Sequence, residues 1–132
     1  MSATVLDTDV ASAILKNRLP GHLASRLAGA RLAITFVTVG ELTQWTFLRR
    51  WGPQRRAGLQ CFFTQVIVLP YSPYVATLWG EIQAHARLRG RPRPINDSWV
   101  AACCLARELP LATLNVKDFA DFRDHEGLEL IT

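Results

Sequence analysis

Apolar residues along the chain fall into two spacings. Thr4-Val5-Leu6, Leu32 to Thr35, Ile67-Val68-Leu69 and Leu111 to Thr113 are short apolar runs bounded by charges or turn formers, and they read as buried strands. Between them, apolar positions recur at helical intervals: Val10, Ala13 and Ile14; Leu23 and Leu27; Val39, Leu42, Trp45 and Leu48; Leu59, Phe62, Phe63 and Val66; Val75, Leu78, Trp79 and Ile82. Pro20 and Pro53 stand where helices start, and Gly29 and Gly90 where they end. Asp9 is expected to cap the first helix. Thr38-x-x-Glu41 has the form of a capping box opening the third. "RPRP" reads as an exposed loop. The helix that follows it, "NDSWVAACCLAREL", is apolar almost all round from Trp99 to Leu105, which predicts burial between other elements. Asp118 opens a short turn, and Leu128 to Ile131 forms a last strand.

Buried strands separated by helices imply a parallel sheet covered on both faces, an α/β architecture. The 132 residues show no repeat, low-complexity tract or linker, so a single domain over 1–132 is expected. A hydrophobic content of 49% against 20% charged residues supports a packed core rather than disorder. No apolar run approaches the roughly 18 residues of a membrane span. "MSATVLD" lacks the basic start and apolar stretch of a signal peptide, so a cytoplasmic location is expected. Cys61, Cys103 and Cys104 offer neither a disulfide framework nor a zinc pattern, and are expected to act as small buried apolar residues.

Charge sharpens the picture. The net charge is +4, and lysine occurs only at Lys16 and Lys117, so arginine dominates. Arg49, Arg50, Arg55 and Arg56 cluster in "RRWGPQRR", and Arg87, Arg89, Arg91 and Arg93 in "RLRGRPR". Guanidinium forks suit phosphates and carboxylates, so the two clusters point to a polyanionic partner, nucleic acid or an acidic protein.

In open α/β sheets the chemistry gathers beyond the carboxyl ends of the strands. Four acids lie there: Asp7 after strand one, Glu41 after strand two, Asp97 at the start of the buried helix and Asp118 after strand four. Each has a local explanation as a cap, a dipole partner or a turn residue. Together they would repel one another and raise their own pKa values, a cost that a divalent cation removes. Oxygen ligands suit Mg²⁺ or Mn²⁺, whereas His22, His85 and His125 are too scattered for zinc. Such an ion polarises a phosphoryl oxygen and activates water. Phosphate-binding glycine loops and a G-x-S-x-G elbow are missing. "LDTDV" also fits the first motif of haloacid-dehalogenase-like phosphatases, with Asp7 as nucleophile and Asp9 as general acid, but the later lysine and acidic motif lack convincing context. A receiver domain needs a phosphoacceptor Asp after strand three, where the chain reads "VLPYSP".

"VLDTDV", "TVGEL", "INDSWVAA", "ATLNVKDF" and "GLELI", in this order over nearly the whole chain, resemble the PIN-domain ribonucleases of the VapC type, the toxin half of type II toxin–antitoxin pairs. The resemblance implies a PIN-like three-layer fold with a central, mostly parallel five-stranded sheet and helices on both faces. It implies a Mg²⁺- or Mn²⁺-dependent endoribonuclease. Asp7, Glu41 and Asp97 match the acidic positions, with Asp7 and Asp97 as metal residues. Asp118 is the choice for the fourth acid, with Asn115 as the neighbouring alternative. Thr8 and Thr113 would orient ligands or water. Asp9, where many relatives carry Asn or Ser, would either tighten metal binding or only cap. The partners implied are RNA, a second copy of the chain and an antitoxin whose extended segment crosses the active site, giving a homodimer and a hetero-oligomer. Arg49, Arg50, Arg55, Arg56, Arg89 and Arg91 are the expected contacts, with Trp51 beside them on the surface and Trp79 in the core. A non-cleaving module that binds RNA or antitoxin is the alternative.

Overall fold

The computed structural model describes residues 3–132. Five strands, β1 (Ala3–Leu6), β2 (Arg31–Thr35), β3 (Ile67–Leu69), β4 (Leu111–Ala112) and β5 (Leu130–Ile131), form one sheet in the order β3-β2-β1-β4-β5. Every pairing is parallel. The connections carry α1 (Thr8–Leu15), α2 (Gly21–Leu27), α3 (Phe36–Leu48), α4 (Pro53–Gln65), α5 (Pro73–Leu88), α6 (Ile95–Arg107) and α7 (Val116–Glu126).

Side chains alternate across a strand, and here the alternation sorts the molecule into two cores. Val5, Ala33 and Leu111 pack with Val75, Ile82, Val100, Cys103, Phe119 and Phe122, the face covered by α5, α6 and α7. Their neighbours Leu6, Ile34 and Ala112 pack with Val10, Leu23, Leu42, Leu59 and Phe62, the face covered by α1 to α4. Helices on both faces explain why the strands read as continuous apolar runs instead of alternating ones.

Strand order fixes the place of the chemistry. From β1 the chain moves outward through β2 to β3, then crosses back to β4 and β5 on the other side of β1. The order therefore reverses between β1 and β4, and a crevice opens beyond their carboxyl ends.

Local differences from the sequence reading have identifiable causes. Asp7, not Asp9, caps α1: its Oδ1 accepts from the Thr8 amide at 2.8 Å, and Asp9 lies exposed in the first turn. Thr35 caps α3 by accepting from the Thr38 amide at 3.3 Å, so Thr38-x-x-Glu41 is not a capping box. Both helices begin earlier than the apolar spacing suggests, because the last polar residue of the strand or the residue just beyond it also serves as the cap. Asp118 lies in the first turn of the full helix α7 rather than in a short turn; Phe119 and Phe122 anchor that helix and Gly127 ends it at φ 80°. Cys103 and Cys104 are fully buried as expected, but Cys61 is exposed on α4. Leu48, placed by spacing on the apolar face of α3, is exposed together with Phe47. Trp79 stacks on Trp99 with ring centres 4.8 Å apart, inside the α5–α6 packing. No helix among the described residues is long and apolar enough to cross a membrane.

Candidate active site

Asp7 follows the last residue of β1 and faces the crevice. Its backbone N–H donates to the Ala112 carbonyl at 2.9 Å, which ties it to the end of β4. Thr113, the next residue of that segment, donates its hydroxyl to Asp7 Oδ2 at 3.0 Å. The Thr113 oxygen in turn accepts from the Asn115 amide at 2.9 Å, which fixes the rotamer. Asp7 is only 7% exposed. Burial pushes its carboxyl up to about 7; the charges of Asp9 and Asp97 add to the rise, and the bonds from Thr113 and Thr8 oppose it.

A second acid is held by a hydroxyl relay. The Thr8 hydroxyl donates to Glu41 Oε1 at 2.6 Å. Thr8 has one proton to give, so the 2.9 Å contact between Thr8 and Thr38 is Thr38 donating to Thr8. Asn96 Nδ2 approaches the other oxygen, Oε2, at 3.4 Å. The relay ties α1, α3 and the start of α6 to one carboxylate. The sequence pattern does not single out Thr38 or Asn96 as site residues, although each adjoins a motif: Thr38 opens "TVGEL" and Asn96 precedes Asp97 in "IND".

Asp97 sits in the first turn of α6, where Pro94 provides no side-chain cap. Amide groups at a helix start favour a carboxylate. Burial nevertheless raises Asp97 to about 6, reinforced by the charges of Asp118 and Glu41, with Arg93 pulling the other way. Asp118 stands in the first turn of α7. Asn115 turns its side-chain amide onto Asp9 Oδ2, so it anchors Asp9 rather than offering a carboxylate's charge. Asp97 thus lies within electrostatic reach of Asp7, Asp9, Glu41 and Asp118, though 90 residues separate it from Asp7 in sequence.

Among the described residues, no three Asp, Glu, His or Cys side chains close into a metal cage. The donor set is instead an open cleft of hard oxygens with two desolvated, mutually repelling carboxyls. That suits an ion which keeps most of its own water and takes one or two carboxylates, as Mg²⁺ does. Asp7 and Asp97 are the residues that would hold it.

The basic and aromatic residues divide by environment. Trp51 is 6% exposed in the core of the α1–α4 face, so it is not the surface residue expected; α4 folds back over it and Arg55 covers its ring at 4.4 Å. Arg56 donates to the Trp51 carbonyl at 2.9 Å and to the Thr46 hydroxyl and carbonyl at 3.0 Å, which gives it a structural task at the end of α3. Arg89 is likewise engaged, bonding Asp121 at 2.5 Å and approaching Glu126 at 3.6 Å. Arg49 lies over the Trp45 ring at 4.5 Å. Arg49, Arg50 and Arg91 are exposed, and none of them is ion-paired among the described residues.

A family model for the PIN domain matches residues 4–124. The chain is 33% identical over 136 residues to Ribonuclease VapC5 of Mycobacterium tuberculosis, covering 98% of this chain and 95% of that one. Among solved structures, VapBC-1 from nontypeable Haemophilus influenzae matches with a TM-score of 0.84 at 28% identity, covering 98% of this chain and 96% of that one. VapBC-5 from Mycobacterium tuberculosis, a member of the VapBC family of toxin–antitoxin systems, matches with a TM-score of 0.74 at 29% identity, covering 99% and 98%. The matched span takes in all four acids and the crevice between β1 and β4, and the chain belongs to the PIN-domain family, among its VapC-type ribonucleases.

Proposed function

We propose that this protein is a metal-dependent endoribonuclease and the toxin of a toxin–antitoxin pair. The observation that carries the reading is the pair Asp7 and Asp97, two carboxyls raised by burial and by neighbouring acids at the reversal point of a parallel sheet. Asp7 and Asp97 would hold Mg²⁺ or Mn²⁺, which when bound supplies Lewis-acid polarisation of a phosphoryl oxygen and a water of lowered pKa. Thr113 and the Thr8 amide keep the Asp7 carboxylate in one orientation. Glu41, held by Thr8 and Asn96, would accept a proton from the attacking water. Asp118 adds the fourth acid, and Asn115 orients Asp9. The phosphatase and receiver readings fall away with membership of the PIN-domain family.

The partner follows from the solved relatives, which include a toxin–antitoxin system. An antitoxin would cover the cleft, and the toxin would form homodimers that enter a larger hetero-oligomer. Light scattering of the toxin alone and with its antitoxin measures both assemblies.

The test of the activity uses antitoxin-free protein and total RNA with Mg²⁺ or Mn²⁺. Discrete cleavage is expected, abolished by EDTA and by Asp7→Asn or Asp97→Asn. Cleavage that survives chelation and both substitutions would overturn the metal–carboxylate assignment. Binding of RNA without any cutting would favour a non-cleaving module.

A further inference from the structure

An open groove of about 270 Å³ runs between α1 and α3, lined by Asp9, Ser12, Lys16, Arg18, Trp45 and Arg49. Asp9, Ser12 and Ala13 of α1 and its C-cap residue Lys16 fall at i, i+3, i+4 and i+7, which is one helix face. Trp45 of α3 and Arg49, its C-cap residue, continue the face that begins with Glu41, at intervals of four. Both helices start at the carboxyl ends of their strands and run away from the acidic cleft. The groove is therefore acidic where it opens at Asp9 and basic at its far end, about 10 Å along α1 by the helical rise.

The three cations are available for an anion. Lys16, Arg18 and Arg49 are exposed, and none is ion-paired among the described residues. Arg49 rests on the Trp45 ring, 4.5 Å from its centre, which holds the guanidinium on the groove wall at little further entropic cost. Left-handed backbone at Asn17, φ 55°, turns the chain back at the end of α1, between Lys16 and Arg18. A strand lying here would place one phosphate at the acids and neighbouring phosphates on the cations.

We propose that the α1–α3 groove holds the single-stranded RNA segment flanking the cut, with Lys16, Arg18 and Arg49 on its phosphates and the Trp45–Arg49 stack beside a base. The proposal rests on the ribonuclease reading above, and it names the path the substrate takes out of the cleft. A strand with every base unpaired fits because cationic grooves with aromatic walls accept any base by stacking.

The experiment measures binding of a labelled random-sequence single-stranded oligoribonucleotide by fluorescence anisotropy across a salt series. Full-length protein carrying Asp97→Asn is used, so that the strand is held and not cut. In that background, Lys16→Ala, Arg18→Ala and Arg49→Ala are combined, and Arg31→Ala, an exposed cation at the start of β2, is the control. The triple variant should bind roughly tenfold more weakly, and its salt slope should fall by about 0.7 for each phosphate no longer neutralised. The control should change neither. Equal binding and equal slope in triple variant and control would overturn the groove, as would a triple variant that keeps RNA binding and loses only antitoxin capture. RNA bound in the groove by a wild-type protein that does not cut would support this proposal and reject the nuclease reading, so the two failures are distinguishable.

Discussion

Thr113 donates its hydroxyl to Asp7 Oδ2 at 3.0 Å, across the line where the sheet order reverses. The bond joins the ends of β4 and β1, and it leaves Asp7 Oδ1 to the Thr8 amide. Thr113→Val removes it while conserving volume. The buried carboxyl then loses a donor that favours its charged form, so its pKa rises further. Cleavage at neutral pH should fall about 10- to 100-fold, the usual cost of losing a partner that orients a metal ligand. Raising the Mg²⁺ concentration or the pH should restore part of it. Single-turnover cleavage against Mg²⁺ measures the effect, and a change confined to the maximal rate at saturating metal would refute the orienting role.

The raised carboxyls make the metal-free protein sensitive to pH. An acid whose folded pKa lies above its unfolded value binds more protons when folded, so stability falls as pH rises between the two values. For Asp7 that window runs from 3.8 to about 7, and for Asp97 from 3.8 to about 6. In EDTA, Asp7→Asn and Asp97→Asn should therefore gain Tm relative to wild type as pH rises from 4 to 7, with little difference below 4. Metal binding runs the other way and should tighten over the same rise. Melts at several pH values test both signs; a wild-type advantage at pH 7 in EDTA would mean that the carboxylates are structural.

Glu41 depends on Thr8. Thr8→Val breaks the 2.6 Å bond to Glu41 and strands the Thr38 hydroxyl in a buried site. One unsatisfied buried hydroxyl costs about 1–3 kcal/mol, and the freed Glu41 should lower the cleavage rate about tenfold or more, the scale of general-base catalysis. Thr8→Ser keeps the relay and should keep the rate. Equal rates for Val and Ser variants would remove Glu41 from the proton-accepting role.

Arg56 should behave as a structural residue. Arg56→Ala takes away three donors to Thr46 and Trp51 and the cover over the Phe47 ring at 4.7 Å. At about 1 kcal/mol net for each bond, the loss should be roughly 2–3 kcal/mol, read as a lower denaturant midpoint. RNA affinity below the transition should stay unchanged. A drop in affinity without a drop in stability would return Arg56 to the substrate surface.

The sequence reveals the sheet because helices cover both faces of its inner strands, which are unbroken apolar runs; Val5-Leu6 and Ala33-Ile34 are fully buried and need no further context, whereas Val68 on the edge strand β3 is 40% exposed. The acids are legible for a related reason. Asp7, Glu41, Asp97 and Asp118 each follow a recognisable strand or open a recognisable helix. What the sequence hides is the partner of each polar group. Asp7 and Asp9 are equally good caps two residues apart, and only the turn out of β1 decides between them. Glu41 satisfies a local capping pattern that its actual partner, Thr8, overrides from 33 residues away. Trp51 stands among arginines, and its burial depends on how α4 returns across α1. Helix α7 is largely polar apart from Phe119 and Phe122, so its periodicity is too faint to see.

The split of β1 between two cores sets the tolerance of the chain to insertions and deletions. Val5 serves the α5–α7 side and Leu6 the α1–α4 side. One residue added or removed within Ala3–Leu6 would exchange those assignments and turn the Asp7 side chain away from Thr113. The Arg89–Pro94 connection carries no such parity, since it joins two helices through an exposed loop. Length variation among functional homologues should therefore collect between α5 and α6, while the spacing from Ala3 to Asp7 stays fixed.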